Sequence, residues 1–358
     1  MRWLRPGLFV AGVLLVGYLV MQIGSQPIVE ALSRLAWWQF ALLCLPYAVI
    51  MAVDTLGWRY AFARDGAPFF TLLGARIAGD ALNLVTAVAS VGGEAIKAWL
   101  VRRHVSYEES VPSLIVAKTT STVGQVLFLL FGVMIAELAL DLDARLVRGM
   151  LWLLAIEGLA VGGFVLVQCT GVIARAGRLT GLLGVRRGPG FAERLDDSLR
   201  NFYRTQRRRL LLSTGFHFAG WVLGGVEVFL MLYALKVPLS LLTAVVVEAF
   251  GAGVRFASFL VPANIGVMEG ANAGAFAALG VGAGAGLAFS LVRRARQAVW
   301  VALGLVILVA MRPRGWMASA PGDPGSPPSG RAIDGKSGSG NETGFPASRP
   351  PSGWQHER

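Results

Sequence analysis

The sequence predicts an all-α polytopic membrane protein with about six spanning helices and two re-entrant hairpins, the hairpins related as an inverted repeat. Three observations predict it. Hydrophobic residues make up 55% of the 358-residue chain and charged residues 15%, against roughly a quarter charged in soluble domains. Apolar runs of spanning length recur, most of them nearly free of charge, and mean hydropathy is +0.60. Two segments between these runs each carry a glycine-bearing break followed by a glutamate: Ser90-Val91-Gly92-Gly93-Glu94-Ala95-Ile96-Lys97 and Pro262-Ala263-Asn264-Ile265-Gly266-Val267-Met268-Glu269-Gly270.

Gly7–Ile23 is uncharged and follows Arg2 and Arg5. Positive residues resist translocation, and no small-x-small cleavage site follows. The run is therefore read as a retained first helix leaving the cytoplasm. Trp37–Trp58, charged only at Asp54, returns, which places Arg59, Arg64 and Arg76 inside. Phe69–Val101 is broken by Gly74, Gly79, Gly92 and Gly93 and flanked at both ends by basic residues, Arg102, Arg103 and His104 closing it. Two cytoplasmic ends fit a re-entrant hairpin, whose irregular backbone is tolerated only under protein or in a wet cavity.

Val111–Leu140, with Lys118 and Glu137, crosses outward to Asp141, Asp143, Arg145 and Arg148. Gly149–Thr170, with Glu157, returns to a basic cytoplasmic loop at 173–209. Between Arg175 and Arg209 that loop holds ten arginines against Glu193, Asp196 and Asp197, so anionic lipid headgroups are its expected partners. Leu210–Leu235, with His217 and Glu227, exits to Lys236-Val237-Pro238. Leu239–Phe289 carries Glu248, Arg255 and Glu269, breaks at Pro262 and Gly266, and is read as a second hairpin entered from outside.

Leu287–Met311 is the last crossing and brings Arg312 and Arg314 inside, so both chain ends are expected in the cytoplasm. An odd number of crossings separates the hairpins, which inverts one against the other. Arg293, Arg294 and Arg296 open the last crossing from the outer side, against the usual bias. Either they point into a cavity or the topology differs there. The membrane domain is taken as 1–316, and the Pro/Gly/Ser-rich residues 317–358 as a disordered cytoplasmic tail.

The net charge of +12 would suggest nucleic acid in a soluble domain, but it concentrates in one loop, and no nucleic-acid partner is expected. Cys44 and Cys169 lie in apolar runs, and His104, His217 and His356 lack ligand spacing. No metal and no cofactor is expected.

Carboxylates and cations are costly in hydrocarbon and usually face a protein interior or a wet path. The spacing from Glu94 to Lys118 equals that from Glu269 to Arg293. The residues expected along a substrate path are Glu94, Lys97, Lys118, Glu248, Arg255, Glu269, Arg293 and Arg294, with Gly92, Gly93, Pro262 and Gly266 as the re-entrant breaks. Plainer readings stand beside these. Glu94 and Lys97 fit an i,i+3 surface pair worth a few tenths of a kcal/mol. Glu269 fits a carboxylate at a helix N-terminus, and Lys118 a side chain snorkelling to the interface. Glu248 and Arg255 share a helical face, as a structural pair or as cavity lining. His217 and Glu227 also share a face, as a proton relay or as a satisfied buried histidine beside an unrelated acid.

The segments quoted resemble the integral-membrane family named for the transmembrane region of lysylphosphatidylglycerol synthases, a flippase-like domain. Val91-Gly92-Gly93-Glu94 with Lys97 resembles its first signature. Val261–Gly270 resembles its second, often Pro-Gly-x-x-Gly-x-x-Glu, with Gly266 and Glu269 kept. Gly215–Trp221 with Glu227, and Ser290–Arg296, are similar to the hopanoid-biosynthesis-associated branch. The resemblance spans roughly Leu8–Met311 and includes no soluble aminoacyl-transfer domain. It implies a bacterial inner-membrane protein that translocates or scrambles a lipid, hopanoid or phospholipid, between leaflets and is not an enzyme. Two alternatives remain open: an intramembrane lipid-modifying enzyme using one glutamate as acid or base, and a non-transporting scaffold for lipid-biosynthesis enzymes. Oligomeric state is not legible.

Overall fold

Helices built on the expected apolar runs carry the architecture. The computed structural model describes residues 36–85, 91–140, 142–170 and 191–311, together with Tyr18, Met21, Gln26, Val29 and Ser33. The expected first crossing at Gly7–Ile23, residues 173–190 of the basic loop and the tail at 317–358 lie outside the described residues. Helices α1 (Trp37–Leu43) and α2 (Leu45–Tyr60) continue one another across Cys44. Pro46 in the first turn of α2 has no amide hydrogen, so the hydrogen-bond ladder resets there. There follow α3 (Phe69–Val85), α4 (Val91–Val101), α5 (Tyr107–Ala139), α6 (Ala144–Thr170), α7 (Phe191–Thr205), α8 (Arg207–Ala234) and α9 (Leu241–Ala257). A 3-10 turn (Pro262–Asn264), α10 (Val267–Ala278) and α11 (Ala283–Ala310) complete the order, and no strand occurs among the described residues. This is an all-α membrane protein.

Four helical stretches are long and apolar enough to cross a bilayer: Trp37–Tyr60, Tyr107–Ala139, Ala144–Val167 and Arg207–Ala234. Each matches an expected crossing. Helix α11 has 28 residues, long enough at about 1.5 Å per residue, but it carries Arg293, Arg294 and Arg296. By contrast, α3, α4, α9 and α10 have 17, 11, 17 and 12 residues, short of the roughly 20 needed to span.

These short helices form two antiparallel hairpins. Gly93 N–H donates to Asn83 Oδ1 at 2.8 Å, and Lys97 Nζ reaches Asp80 Oδ1 at 2.7 Å, so α4 runs back along α3. In the second hairpin, Met268 lies against Gly251 while Ala275 and Phe276 share a core with Ala244 and Val247. Each hairpin leads into a long helix, and the first helix of each packs on the long helix of the other: α3 on α11, and α9 on α5. Glycine makes both contacts close, Gly304 against Ile77 and Ala81, and Gly132 against Ala249. Small residues let helix backbones approach where lipid supplies no hydrophobic drive.

The hairpins point in opposite directions. Helix α2 runs antiparallel to α8: Leu43 packs with Val228 and Met231, Asp54 meets His217, and Phe62 meets Arg209. Helix α3 reverses α2 and α9 reverses α8, so α3 and α9 run oppositely. One end of the bundle collects the base of the first hairpin. There Gly66 faces Val105, Arg64 pairs with Glu109, and Arg209 Nη2 lies 2.7 Å from Asp65 Oδ1. The hydrogen bond from Arg209 holds the Asp65 carboxyl below the usual carboxylate range. The other end gathers Leu142, Leu146, Leu235, Val237, Leu279 and Val281.

Within the expected basic loop, α7 is a correction. The segment is expected as a basic loop at the lipid headgroups, yet it is helical and Leu199 and Phe202 are buried in the core that includes Trp58 and Leu114. The apolar positions recur at helical spacing along one face, with Arg194, Asp197 and Arg204 exposed, which is the amphipathic pattern. Outward-facing side chains of α5 and α6, among them Leu130, Met134, Leu138, Trp152, Leu159 and Leu166, are exposed and apolar. Hydroxyls join the interior helices: Thr120 and Ser213 share a 2.8 Å hydrogen bond, and Ser213 also donates to the Gly57 carbonyl at 2.8 Å.

Candidate functional site

Both hairpins contribute to the lining of a cavity of about 340 Å³. Leu84, at the end of α3, lines it from one side; Ala263 and Asn264, in the second break, line it from the other. Helices α2, α5, α8, α9, α10 and α11 supply the rest, so the cavity sits where all the inner elements converge.

Its polar wall is made of ion pairs, most of them between different helices. Glu248 on α9 is 2% exposed. It accepts hydrogen bonds from Arg255 Nη2 at 2.6 Å and from Arg293 Nη1 and Nη2 on α11 at 2.6 and 2.9 Å. Arg255 also stands over the Trp221 ring at 5.5 Å. Glu269 is buried in the first turn of α10. Its Oε2 accepts from Gly266 N–H at 2.7 Å and its Oε1 from Arg294 Nε at 2.8 Å. Arg294 Nη1 donates to the Ala263 carbonyl at 2.7 Å, tying α11 to the hairpin tip. Arg296, 5% exposed, lies over Tyr47 at 4.1 Å with its Nη1 3.2 Å from Glu227 Oε1.

The second break is shaped by its backbone. Ala263 and Asn264 have φ of 50° and 52°, and Gly266 has φ of 83°. Pro262 starts the 3-10 turn, and Ser258 Oγ–H donates to Asn264 Oδ1 at 3.1 Å. A glutamate at the start of the next helix then has free amides to cap, and Glu269 caps Gly266.

The structure divides the expected site residues. Glu248, Arg255, Glu269, Arg293 and Arg294 line the cavity; Glu94, Lys97 and Lys118 do not. Lys97 is buried between Asp80 and Glu94, with Nζ 2.7 and 2.9 Å from their oxygens. Lys118 is exposed on α5, within electrostatic range of Lys97 and Glu94, and forms no ion pair among the described residues. The equal spacings therefore do not mark equal pairs. Glu94 takes Lys97 on its own helix, Glu269 takes Arg294, and Arg293 goes to Glu248. Gly92 and Gly93, expected at the first break, follow the undescribed residues 86–90. Both lie in the first turn of α4, and Gly93 comes close to the Gly79 carbonyl and Asn83.

Residues outside the expected set connect the two groups. Asp54 lines the cavity and accepts from Arg76 Nη2 at 3.0 Å, Arg76 Nε lies 3.7 Å from Asp80, and Asp80 holds Lys97. Charge thus runs from the cavity wall to Glu94 without a gap. His217 Nδ1 is 3.1 Å from Asp54 Oδ1, whereas Glu227 pairs with Arg296. His217 and Glu227 belong to different pairs, which favours the buried-histidine reading over a relay between them. Asp54, Arg76, Glu227 and Arg296 had one signal in the sequence, a charge inside or beside an apolar run, but no spacing to name their partners.

No group of acidic, histidine and cysteine side chains able to hold a metal ion occurs among the described residues. No curated protein and no solved structure shows a significant match to the chain. A family model described as the lysylphosphatidylglycerol synthase TM region matches residues 5–305, most of the chain, and the chain belongs to that family.

Proposed function

We propose that the protein moves a lipid between leaflets by offering its headgroup the wet cavity between the two hairpin tips. The observation that carries this reading is the cavity itself: a space of about 340 Å³, walled by Arg255, Arg293, Arg294 and Arg296 with their carboxylate partners, inside a bundle with an apolar exterior. A headgroup crossing hydrocarbon unaided loses its hydration at a cost of several kcal/mol per polar group. Fixed ion pairs replace that hydration, while the acyl or ring portion of the lipid stays in the bilayer and needs no closed pore. Hairpins entering from opposite leaflets bring both aqueous faces close to one site, the plan of many transporters.

In this reading the protein sits in a bacterial inner membrane with segment 173–209 on the cytoplasmic side. It leaves the lipid chemically unchanged, and the lipid is a phospholipid or a hopanoid. Lipid-biosynthesis enzymes are natural neighbours for such a protein.

Leaflet exchange of fluorescent phospholipid and labelled hopanoid in reconstituted vesicles tests it. Wild-type protein is expected to speed exchange well above protein-free vesicles. Glu269→Gln, which frees Arg294, is expected to slow exchange about tenfold, equivalent to ~1.4 kcal/mol. Glu94→Ala, at the far end of the charge chain, is expected to slow it less. Exchange no faster than in empty vesicles ends the proposal, and a new covalent lipid species in the same vesicles replaces it with an enzyme.

A further inference from the structure

Glu157 is an acid that the cavity does not use. It sits near the middle of the spanning stretch Ala144–Val167 of α6 and is 0% exposed, while Ile156 and Leu159 on either side of it face outward. Both of its side-chain oxygens are buried without a hydrogen-bond partner among the described residues. An ionised carboxylate with neither donor nor counter-charge is costly in such surroundings, so the side chain rests there as the neutral acid. Ionisable groups at this depth are rare and mark proton and ion paths.

Packing brings Glu157 to one cation. Helices α6 and α9 run parallel: Val147 and Met150 share a core with Val245, Val246 and Ala249, and Leu153 lies against Gly253. Glu157 is one turn further along the same face of α6, beside the last turn of α9, which carries Arg255. Arg255 is the charged group within electrostatic range of it; Lys118 and Glu137 on α5, Glu248 on α9, and Asp196 and Arg200 on α7 are not. Arg255 can also leave its present partner. Its bond goes to Glu248 Oε1, an oxygen that Arg293 holds as well, and Arg293 grips both Glu248 oxygens through two nitrogens. Without Arg255, Glu248 keeps a bidentate partner.

We propose that Glu157 is a proton-binding site coupled to the cavity: it is protonated in this structure, and when its proton leaves to water, Arg255 moves from Glu248 to the new carboxylate. The lining balances four carboxylates, Asp54, Glu227, Glu248 and Glu269, with four guanidinium groups, Arg255, Arg293, Arg294 and Arg296. The handover takes one guanidinium out of that wall, and reprotonation returns it. A proton needs one oxygen. A metal cation needs several, and no group of acidic, histidine and cysteine side chains able to hold one occurs among the described residues. The proton site follows from burial and missing partners; only its effect on lipid movement rests on the transport reading.

Infrared difference spectra of the full chain in lipid, recorded between acidic and alkaline buffer, test the site. The carbonyl stretch of a protonated acid is expected to disappear as pH rises, and to be missing throughout in Glu157→Gln. The amide of that variant matches the neutral acid in shape, so it is expected to fold. Guanidinium bands are expected to change together with the acid band and to be lost from the difference spectrum of Arg255→Lys. A wild-type spectrum identical to that of Glu157→Gln overturns the inference. So does a Glu157 acid band that persists in alkaline buffer, which marks a permanently neutral side chain. Guanidinium bands that survive Arg255→Lys overturn the handover. Leaflet exchange under an imposed pH gradient tests the coupling. Wild-type rates are expected to differ about fivefold or more between the two directions of the gradient, and those of Glu157→Gln not to differ. Equal wild-type rates in both directions overturn the coupling. Vesicles with no exchange at all, holding a protein that keeps the titrating band, end the transport reading and leave the proton site in place.

Discussion

Glu248 shows how much depends on one buried side chain. Its carboxylate is the common acceptor for guanidinium groups from α9 and α11. Removing one member of a buried pair leaves the other as an uncompensated charge, at about 3–5 kcal/mol. Glu248→Ala strands two. It is expected to lower stability in detergent by at least ~3 kcal/mol, read from thermal or denaturant unfolding. Glu94→Ala removes a partly exposed partner while Asp80 still holds Lys97, and less than ~1 kcal/mol is expected. Similar losses for both would mean that the cavity wall is not a packed charge network. The sequence showed that Glu248 and Arg255 share a helical face, and here the structural pair and the cavity lining are both true. It did not show Arg293 as the third member, because spacing along a chain says nothing about which helix packs across. The same gap hid Arg296 and Glu227, and it made Glu94 and Glu269 look more alike than they are.

At the scale of elements, the two hairpins were legible because punctuation and length agree. Glycine and proline interrupt apolar runs too short to span, and each hairpin is followed by a long helix. The connection of the first hairpin, at 86–90, lies outside the described residues, and Gly92 and Gly93 follow it in the first turn of α4. Gly93 comes close to the Gly79 carbonyl and donates its N–H to Asn83 Oδ1, an approach that a side chain would obstruct. The second break was placed correctly, and its backbone explains its composition. Ala263 sits in this break with φ of 50°, a conformation that costs an L-residue about 1–2 kcal/mol. Ala263→Gly relieves that strain but loosens the unfolded chain by about 0.4–1 kcal/mol. The expected net is a gain of no more than ~1 kcal/mol. Ala263→Val puts a β-branched side chain in the left-handed region and is expected to destabilise clearly. Thermal unfolding of the two variants checks the ordering, and a more stable valine variant would show that this tip is not held as described. Helix α7 was missed for the opposite reason: ten arginines drew attention to charge and away from the apolar stripe of Leu195, Leu199 and Phe202.

At the scale of the whole molecule, the two ends of the bundle differ in charge. The end holding the base of the first hairpin carries Arg59, Arg64, Arg102, Arg103 and Arg207–Arg209; the end holding the base of the second carries Lys236, Arg145 and Arg148 with Asp143. Cationic excess marks the cytoplasmic side. Arg293, Arg294 and Arg296 contradicted that rule in the sequence, and the structure removes the contradiction. All three turn inward to carboxylates, so they act as cavity wall and not as topogenic charge. The arrangement makes a sidedness prediction. In a background lacking Cys44 and Cys169, Arg103→Cys beside the first hairpin and Pro238→Cys beside the second are both exposed positions in connecting loops. A membrane-impermeant thiol reagent added to intact cells is expected to label Pro238→Cys and spare Arg103→Cys, and inverted vesicles are expected to reverse the pattern. Labelling of both positions from one face would place the two hairpins in the same leaflet. The odd number of crossings between them would then be wrong, and the cavity would open to one side of the membrane only, which no leaflet-exchange mechanism built on these residues survives.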